Sequence, residues 1–96
     1  MPATPPNNFI SHVVNATAVL LTWSPPLVPN GIIVSYEVNY HLSGQLVTAY
    51  LANTQNYVIS GLEEYTWYTF TISSFTRTGQ GPSTSVSART DIAGIQ

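Results

Sequence analysis

An all-β fold, a seven-stranded antiparallel β-sandwich, is the class this sequence predicts. Three observations carry the prediction. The stretch Leu62–Phe75 (LEEYTWYTFTISSF) alternates with a period of two, Tyr68, Phe70 and Ile72 on one face and Thr69, Thr71 and Ser73 on the other. That pattern is a half-buried antiparallel strand, and its aromatics and threonines suit a pleated surface. Short apolar runs recur along the chain between Pro, Gly and Asn turn signals, which is the spacing of two packed sheets. No segment shows a helical period.

Pro5-Pro6-Asn7-Asn8 reads as extended chain, because a residue before proline is pushed away from helix. Residues 1–5 are expected to be a linker or residues added ahead of the module, and Met1 an added initiator. Phe9–Val14 is the first strand; both Phe9/Ser11/Val13 and Ile10/His12/Val14 alternate, so its inward face stays open. Asn15-Ala16-Thr17 forms a turn. Ala18–Trp23 is the second strand, with Val19, Leu21 and Trp23 inward and Leu20 outward. Ser24–Gly31, with three prolines and an Asn-Gly pair, is a loop, since such residues do not sit in a central strand.

Ile32–Leu42 is the long third strand, with Tyr36, Val38 and Tyr40 inward and Glu37, Asn39 and His41 outward. Ser43-Gly44-Gln45 is a hairpin turn, Leu46–Leu51 the fourth strand, and Ala52–Gln55 a loop. Tyr57 and Ile59 mark a short fifth strand ending at Ser60-Gly61. Leu62–Phe75 is the sixth. Tyr68 follows soon after the turn at Leu62, and a buried tyrosine needs a partner for its hydroxyl. Free backbone groups of that turn supply one, which makes a tyrosine corner joining strands of different sheets; the other reading is a core tyrosine in an ordinary strand. Arg77–Pro82 is expected to be a mobile Gly-containing turn, and Thr84–Thr90 the last strand, with Val86 and Ala88 inward. Residues 6–90 thus form one domain and 91–96 a C-terminal linker or frayed tail.

Composition narrows the function classes. The 96-residue chain has room for one small core. Charged residues make up 6%, with no lysine and only Arg77 and Arg89 as bases, and the formal net charge is −2. Nucleic acids and anionic membranes need clustered bases to displace counterions, so neither is an expected partner. No run approaches the ~18 apolar residues of a membrane span, so no direct membrane insertion is expected of this domain. The chain lacks the charged and apolar start of a signal peptide. The absence of cysteine excludes a disulfide scaffold, thiol catalysis and thiolate metal sites.

The sequence resembles a fibronectin type III domain from Pro6 to Thr90. The marks are Trp23-Ser24-Pro25-Pro26, Pro29-Asn30-Gly31-Ile32-Ile33 leading to Tyr36-Glu37-Val38-Asn39-Tyr40, then Ile59-Ser60-Gly61-Leu62, Tyr68-Thr69-Phe70-Thr71-Ile72 and Gly79-Gln80-Gly81-Pro82-Ser83. No one of them is decisive; their order makes the assignment specific. The resemblance implies an immunoglobulin-like sandwich of three strands against four, with Trp23, Tyr36, Leu62, Tyr68 and Phe70 as structural core. Two positions depart from the family pattern: Glu64 stands where a proline is common, and Ser74 where alanine is common. Integrin-binding members often carry Arg-Gly-Asp in the loop between the last two strands. Here the loop reads Arg77-Thr78-Gly79-Gln80 and lacks the acid, so that activity is not carried over. The cytokine-receptor tryptophan–serine signature is absent as well.

Candidate site residues are few. Asn15-Ala16-Thr17 is an N-glycosylation sequon in an exposed turn; the alternative is a chance match in a chain rich in Asn and Thr. Trp67 follows the alternation to the outer face, as do Leu20 and Phe75, and Tyr65 and Tyr50 are further outward aromatics. Outward apolar groups can mark a contact surface, although scattered ones are normal. Arg77, Thr78 and Gln80 form a candidate protein-contact loop, against which stands the reading of Arg77 as a solvated strand-end residue. Gly79 and Gly81 are not a phosphate loop, because no lysine or helix follows. His12 and His41 lack a third ligand at metal-site spacing, and a Ser-His-Asp site would need Asp91 in the tail. No catalytic residue and no cofactor is expected.

The resemblance implies a non-catalytic adhesion or spacer module of a tandem array, as in receptor-type tyrosine phosphatases, usherin-like proteins or neural adhesion receptors. It would be the extracellular part of a membrane protein or secreted. Its partners would be the neighbouring domains of its own chain and a protein ligand, and the isolated domain would be monomeric. Two alternatives stand beside this: an intracellular scaffold module of giant muscle-type proteins, and an accessory domain of a secreted carbohydrate-active enzyme.

Overall fold

A computed structural model describes residues 1–92. Among them are seven strands: β1 (Asn7–Asn15), β2 (Ala18–Ser24), β3 (Ser35–Leu42), β4 (Gln45–Leu51), β5 (Asn56–Ile59), β6 (Trp67–Thr76) and β7 (Gly79–Arg89). They form a three-stranded sheet ordered β1-β2-β5 and a four-stranded sheet ordered β4-β3-β6-β7. All pairings are antiparallel. Most of the 91–96 segment, read from sequence as a linker, lies outside the described residues.

The inward face of each strand supplies the core. Val19, Leu21, Tyr36, Val38, Phe70 and Ile72 are fully buried, and Trp23, Ile59, Leu62 and Tyr68 nearly so. Burying a Val, Leu, Ile or Phe side chain contributes about 1.5–3 kcal/mol each. The aromatics join the two sheets: Trp23 packs on Tyr36 with ring centroids 5.4 Å apart and on Phe9 at 6.3 Å, and Phe70 meets Tyr40 at 5.7 Å and Tyr68 at 6.1 Å. The Phe9/Ser11 face of β1 is the inward one, because Phe9 fills the space at the edge of the Trp23 ring.

The corner before β6 is closed by side chains. The Glu63 N–H donates to Tyr68 Oη at 2.8 Å, so Leu62–Thr66 is a connection rather than strand, and β6 begins at Trp67. Leu62 N–H bonds the Thr17 carbonyl at 3.0 Å, tying the corner to the β1–β2 turn. The buried Thr90 hydroxyl donates to the Glu63 carbonyl at 2.7 Å and accepts from Thr66 N–H at 2.9 Å. One tyrosine and one threonine thereby satisfy backbone groups that would otherwise be orphaned in the interior.

Four sequence expectations are corrected. The third strand begins at Ser35, not Ile32: Asn30 and Gly31 have φ of +52° and +143°, the chain turns there, and Ile32 is left 84% exposed. The segment Arg77–Pro82 is not a loop. Arg77-Thr78 is a two-residue turn, and β7 starts at Gly79, five residues before Thr84. The sheet absorbs Gly81-Pro82 as a bulge opposite Ser74, the register shifting between Ser73↔Ser83 and Phe75↔Gln80. A bulge accommodates a residue that cannot donate to the ladder. Ser73 is buried rather than outward, because the Gln80 side chain lies over it with Nε2 2.6 Å from Oγ.

Finally, residues read as a linker at the N-terminus lie on the domain. Pro2 is fully buried, Ala3 N–H bonds the Val28 carbonyl at 2.9 Å, and Val28 N–H bonds Thr4 Oγ1 at 3.0 Å. Gly81 is what admits them: a Cβ there would stand 2.7 Å from Pro2 Cβ and 2.9 Å from its carbonyl oxygen.

Candidate contact surfaces

The sandwich measures 46 × 24 × 18 Å, and its exposed candidates fall at separate places. At one pole, Arg77 and Thr78 form the tip of the β6–β7 hairpin. The tip is braced by threonines: Thr78 N–H donates to Thr76 Oγ1 at 3.3 Å, and the two hydroxyls are 3.0 Å apart. Arg77, Thr78, Ile32 and Val34 border a depression of about 260 Å³. Gln80 does not point into it; its amide donates to Ser73 and, at 3.4 Å, to the Glu37 carboxylate across the sheet.

Trp67 opens β6 at the opposite pole, nine residues from Thr76, or about 30 Å along a strand. It is 66% exposed, and its cross-strand partner is Arg89. The Arg89 guanidinium lies over the Tyr65 ring at 4.4 Å and over the Trp67 ring at 5.6 Å. A cation held against two ring faces is a modest electrostatic contact at such an exposed place, about 0.5–1 kcal/mol. Tyr65 has a φ of +48° and gives its N–H to the Asp91 carbonyl at 3.0 Å. Sequence reasoning named Trp67 and missed Arg89. Counting along the hairpin from Thr76↔Gly79 sets Ala88 opposite Trp67, and only the bulge near Ser74 brings Arg89 there, so the sequence carried no direct signal for it.

Asn15 ends β1 on the other sheet and is exposed. Its Oδ1 accepts from Thr17 N–H at 2.9 Å and lies 3.3 Å from the Thr17 hydroxyl. This Asx turn orders the sequon, and Nδ2 makes no hydrogen bond among the described residues.

The outer face of the four-stranded sheet holds a polar network that the sequence did not reveal. Thr48 Oγ1 donates to Asn39 Oδ1 at 2.7 Å, and Asn39 Nδ2 donates to Glu37 Oε2 at 2.9 Å. Glu37, Asn39, His41, Leu46, Thr48 and Tyr50 border an open depression of about 540 Å³. Inside, burial raises the phenol pKa values of Tyr36 and Tyr40 above the ordinary 10.0. The polar groups of Gln55 and Trp23 pull Tyr36 the other way without reaching hydrogen-bond geometry. His12 on β1 and His41 on β3 lie in different sheets. Among the described residues no three His, Asp or Glu side chains cluster to hold a metal.

A family model for the fibronectin type III domain matches residues 4–90. The phosphatidylinositol phosphatase PTPRQ of Rattus norvegicus is 39% identical over 80 residues, covering 83% of this chain and 3% of that protein. Protein sidekick-2 of Gallus gallus is 34% identical over 82 residues, 80% of this chain and 4% of the relative. The netrin receptor DCC of Mus musculus is 32% identical over 87 residues, 85% and 6% respectively. The chain thus spans a small fraction of these relatives' length. The crystal structure of the FN5 domain of Drosophila Lar superposes with a TM-score of 0.78 over 95% of this chain and 98% of that one, at 22% identity. That likeness is one of fold.

Proposed function

The chain belongs to the fibronectin type III family, and on that premise we propose that it is a non-catalytic adhesion and spacer module. It serves as one unit of a tandem array in the extracellular part of a membrane protein or in a secreted protein. The observation that carries this reading is the path of the backbone. Pro2 is buried against Gly81, next to the β6–β7 hairpin, while Thr90 and Asp91 lie at the far pole with Thr66 and Tyr65. The eleven-residue β7 spans the distance between, about 35 Å. A module whose chain ends emerge at opposite poles adds its length to an array and holds its neighbours apart.

Among the relatives, one is named a netrin receptor and another a putative receptor-type tyrosine-protein phosphatase; a surface setting for this module follows by analogy with them. The module contributes no catalytic group or cofactor of its own. Its partners are the flanking domains and a protein ligand, met through Arg77, Thr78 and Gln80 at one pole and Trp67 at the other. Asn15 carries an N-glycan, and the isolated module is monomeric in dilute solution.

The test is excision. Removing residues 6–90 from the parent protein shortens its contour in electron micrographs by about 35 Å and leaves surface delivery intact. An unchanged contour, or loss of a catalytic activity that maps to this segment, overturns the reading.

A further inference from the structure

We propose that β4, the free edge of the four-stranded sheet, pairs antiparallel with β4 of a second copy of this chain, with Thr48 opposite Thr48. This goes beyond the spacer role, because it gives the module a homophilic contact of its own.

An open edge offers a row of unpaired N–H and C=O groups, and proteins usually guard such edges with charge, proline, bulges or brevity. Three of the edges here are guarded. β5 has four residues, β7 carries Pro82 and a bulge, and β1 has two register shifts and packs along β7. β4 is seven residues, Gln45–Leu51, with no charge, no proline and unbroken pairing to β3.

The phase of its free groups follows from the hairpin. Ser43 and Gly44 have φ of +53° and +79°, which makes a two-residue type I′ turn. Its closing bond makes Leu42 and Gln45 a hydrogen-bonded pair. Bonded and non-bonded pairs then alternate along an antiparallel ladder. Tyr40↔Val47, Val38↔Ala49 and Tyr36↔Leu51 are therefore bonded; His41↔Leu46, Asn39↔Thr48 and Glu37↔Tyr50 are not. The backbone groups of Leu46, Thr48 and Tyr50 accordingly point out of the sheet.

One register satisfies all of them. Centred on Thr48, it sets Leu46 against Tyr50 of the second copy and Tyr50 against Leu46, each pair exchanging two N–H···O bonds. The outward side chains meet in the same pairing: Tyr50 is 72% exposed and Leu46 61%, and an aromatic opposite an aliphatic is a favourable cross-strand pair. Inward, Val47 meets Ala49. A shift of two residues in either direction leaves free groups unpaired and separates Tyr50 from Leu46.

Charge permits the approach of two like molecules. Glu37 is one strand inside the edge, and Glu63 is held at the hairpin turn by the Ser43 hydroxyl, which donates to its carboxylate at 3.3 Å. The Glu37 row continues through Tyr50 and the second copy's Leu46 to that copy's His41, so the two Glu37 carboxylates fall in different rows. They are more than ~14 Å apart across three strand spacings, beyond the ~8 Å screening length at physiological salt. The contact buries less than the ~1,000 Å² of a stable interface. A single module therefore associates weakly, and an array gains by multivalency.

The test is amide hydrogen exchange by NMR on this chain at tens of micromolar and at about 1 mM. The expected result is exchange at least about twofold slower at the higher concentration for Leu46, Thr48 and Tyr50, with Val47, Ala49 and Leu51 unchanged because β3 already protects them. Thr48→Pro removes an N–H that faces away from β3 and abolishes the concentration dependence. Leu46→Lys, at an exposed side chain, does the same without touching the backbone. Concentration-independent exchange at the three residues, protection at any other surface instead, or self-association that survives Leu46→Lys overturns the proposal.

Discussion

Ser74 is fully buried, and among the described residues its hydroxyl finds no partner; nor do the buried Trp23 Nε1 and Tyr36 Oη in the core. A buried polar atom left unpaired costs about 1–3 kcal/mol. For Trp23 and Tyr36 the ring area buried outweighs that cost. For Ser74 little offsets it, since the side chain is small and its cross-strand neighbour is Tyr36. Ser74→Ala is therefore expected to stabilise the domain by about 1 kcal/mol, read as a higher midpoint of urea unfolding with an unchanged slope. Destabilisation would show that the hydroxyl has a partner, such as an internal water. The alternation of β2, β3 and β6 made the inward residues readable in the sequence. It could not show whether an inward hydroxyl is satisfied, because that depends on which atoms of another strand stand opposite.

The corner between β5 and β6 illustrates what one element needs. Tyr68 Oη accepts from Glu63 N–H, and Thr90 closes the other side. Tyr68→Phe keeps the ring in the core and removes only the acceptor, so it should cost about 1–2 kcal/mol in unfolding free energy, with faster amide exchange at Glu63. A loss below about 0.5 kcal/mol would mean that the corner is held by Leu62 and Thr90 alone. The tyrosine was legible because its spacing from Leu62 is local. Its partnership with Thr90 was not, being a contact across 27 residues. Turn signals misled in two places. Gly79, Gly81 and Pro82 suggest a loop, but Gly79 pairs with Thr76, and pairing on both sides holds Gly81-Pro82 in β7 as a bulge. Ile32, Ile33 and Val34 have strong strand propensity, yet the positive φ values at Asn30 and Gly31 delay the ladder to Ser35. Propensity yields there to the geometry of the turn.

For the whole molecule, the decisive features are two poles, two sheet faces and one open edge. Composition and alternation were enough to specify the sandwich. They were not enough to gather exposed residues into surfaces. Arg77 and Trp67 are ten residues apart yet stand at opposite poles, because a strand separates them. Arg89 joins Trp67 only through the β6–β7 register. The Asn15 turn is at the end of β1, on the sheet opposite to the β4 edge. A glycan there would leave the β4 edge free and would stand beside the Leu62 corner, at the pole that carries Trp67. The most direct test of the extracellular setting is the mass of the peptide containing Asn15 from the native parent protein, before and after enzymatic removal of N-glycans. The account predicts a sugar mass that is lost on treatment, with Asn15 converted to Asp. An unmodified Asn15 in a parent recovered from the cytosol would contradict it.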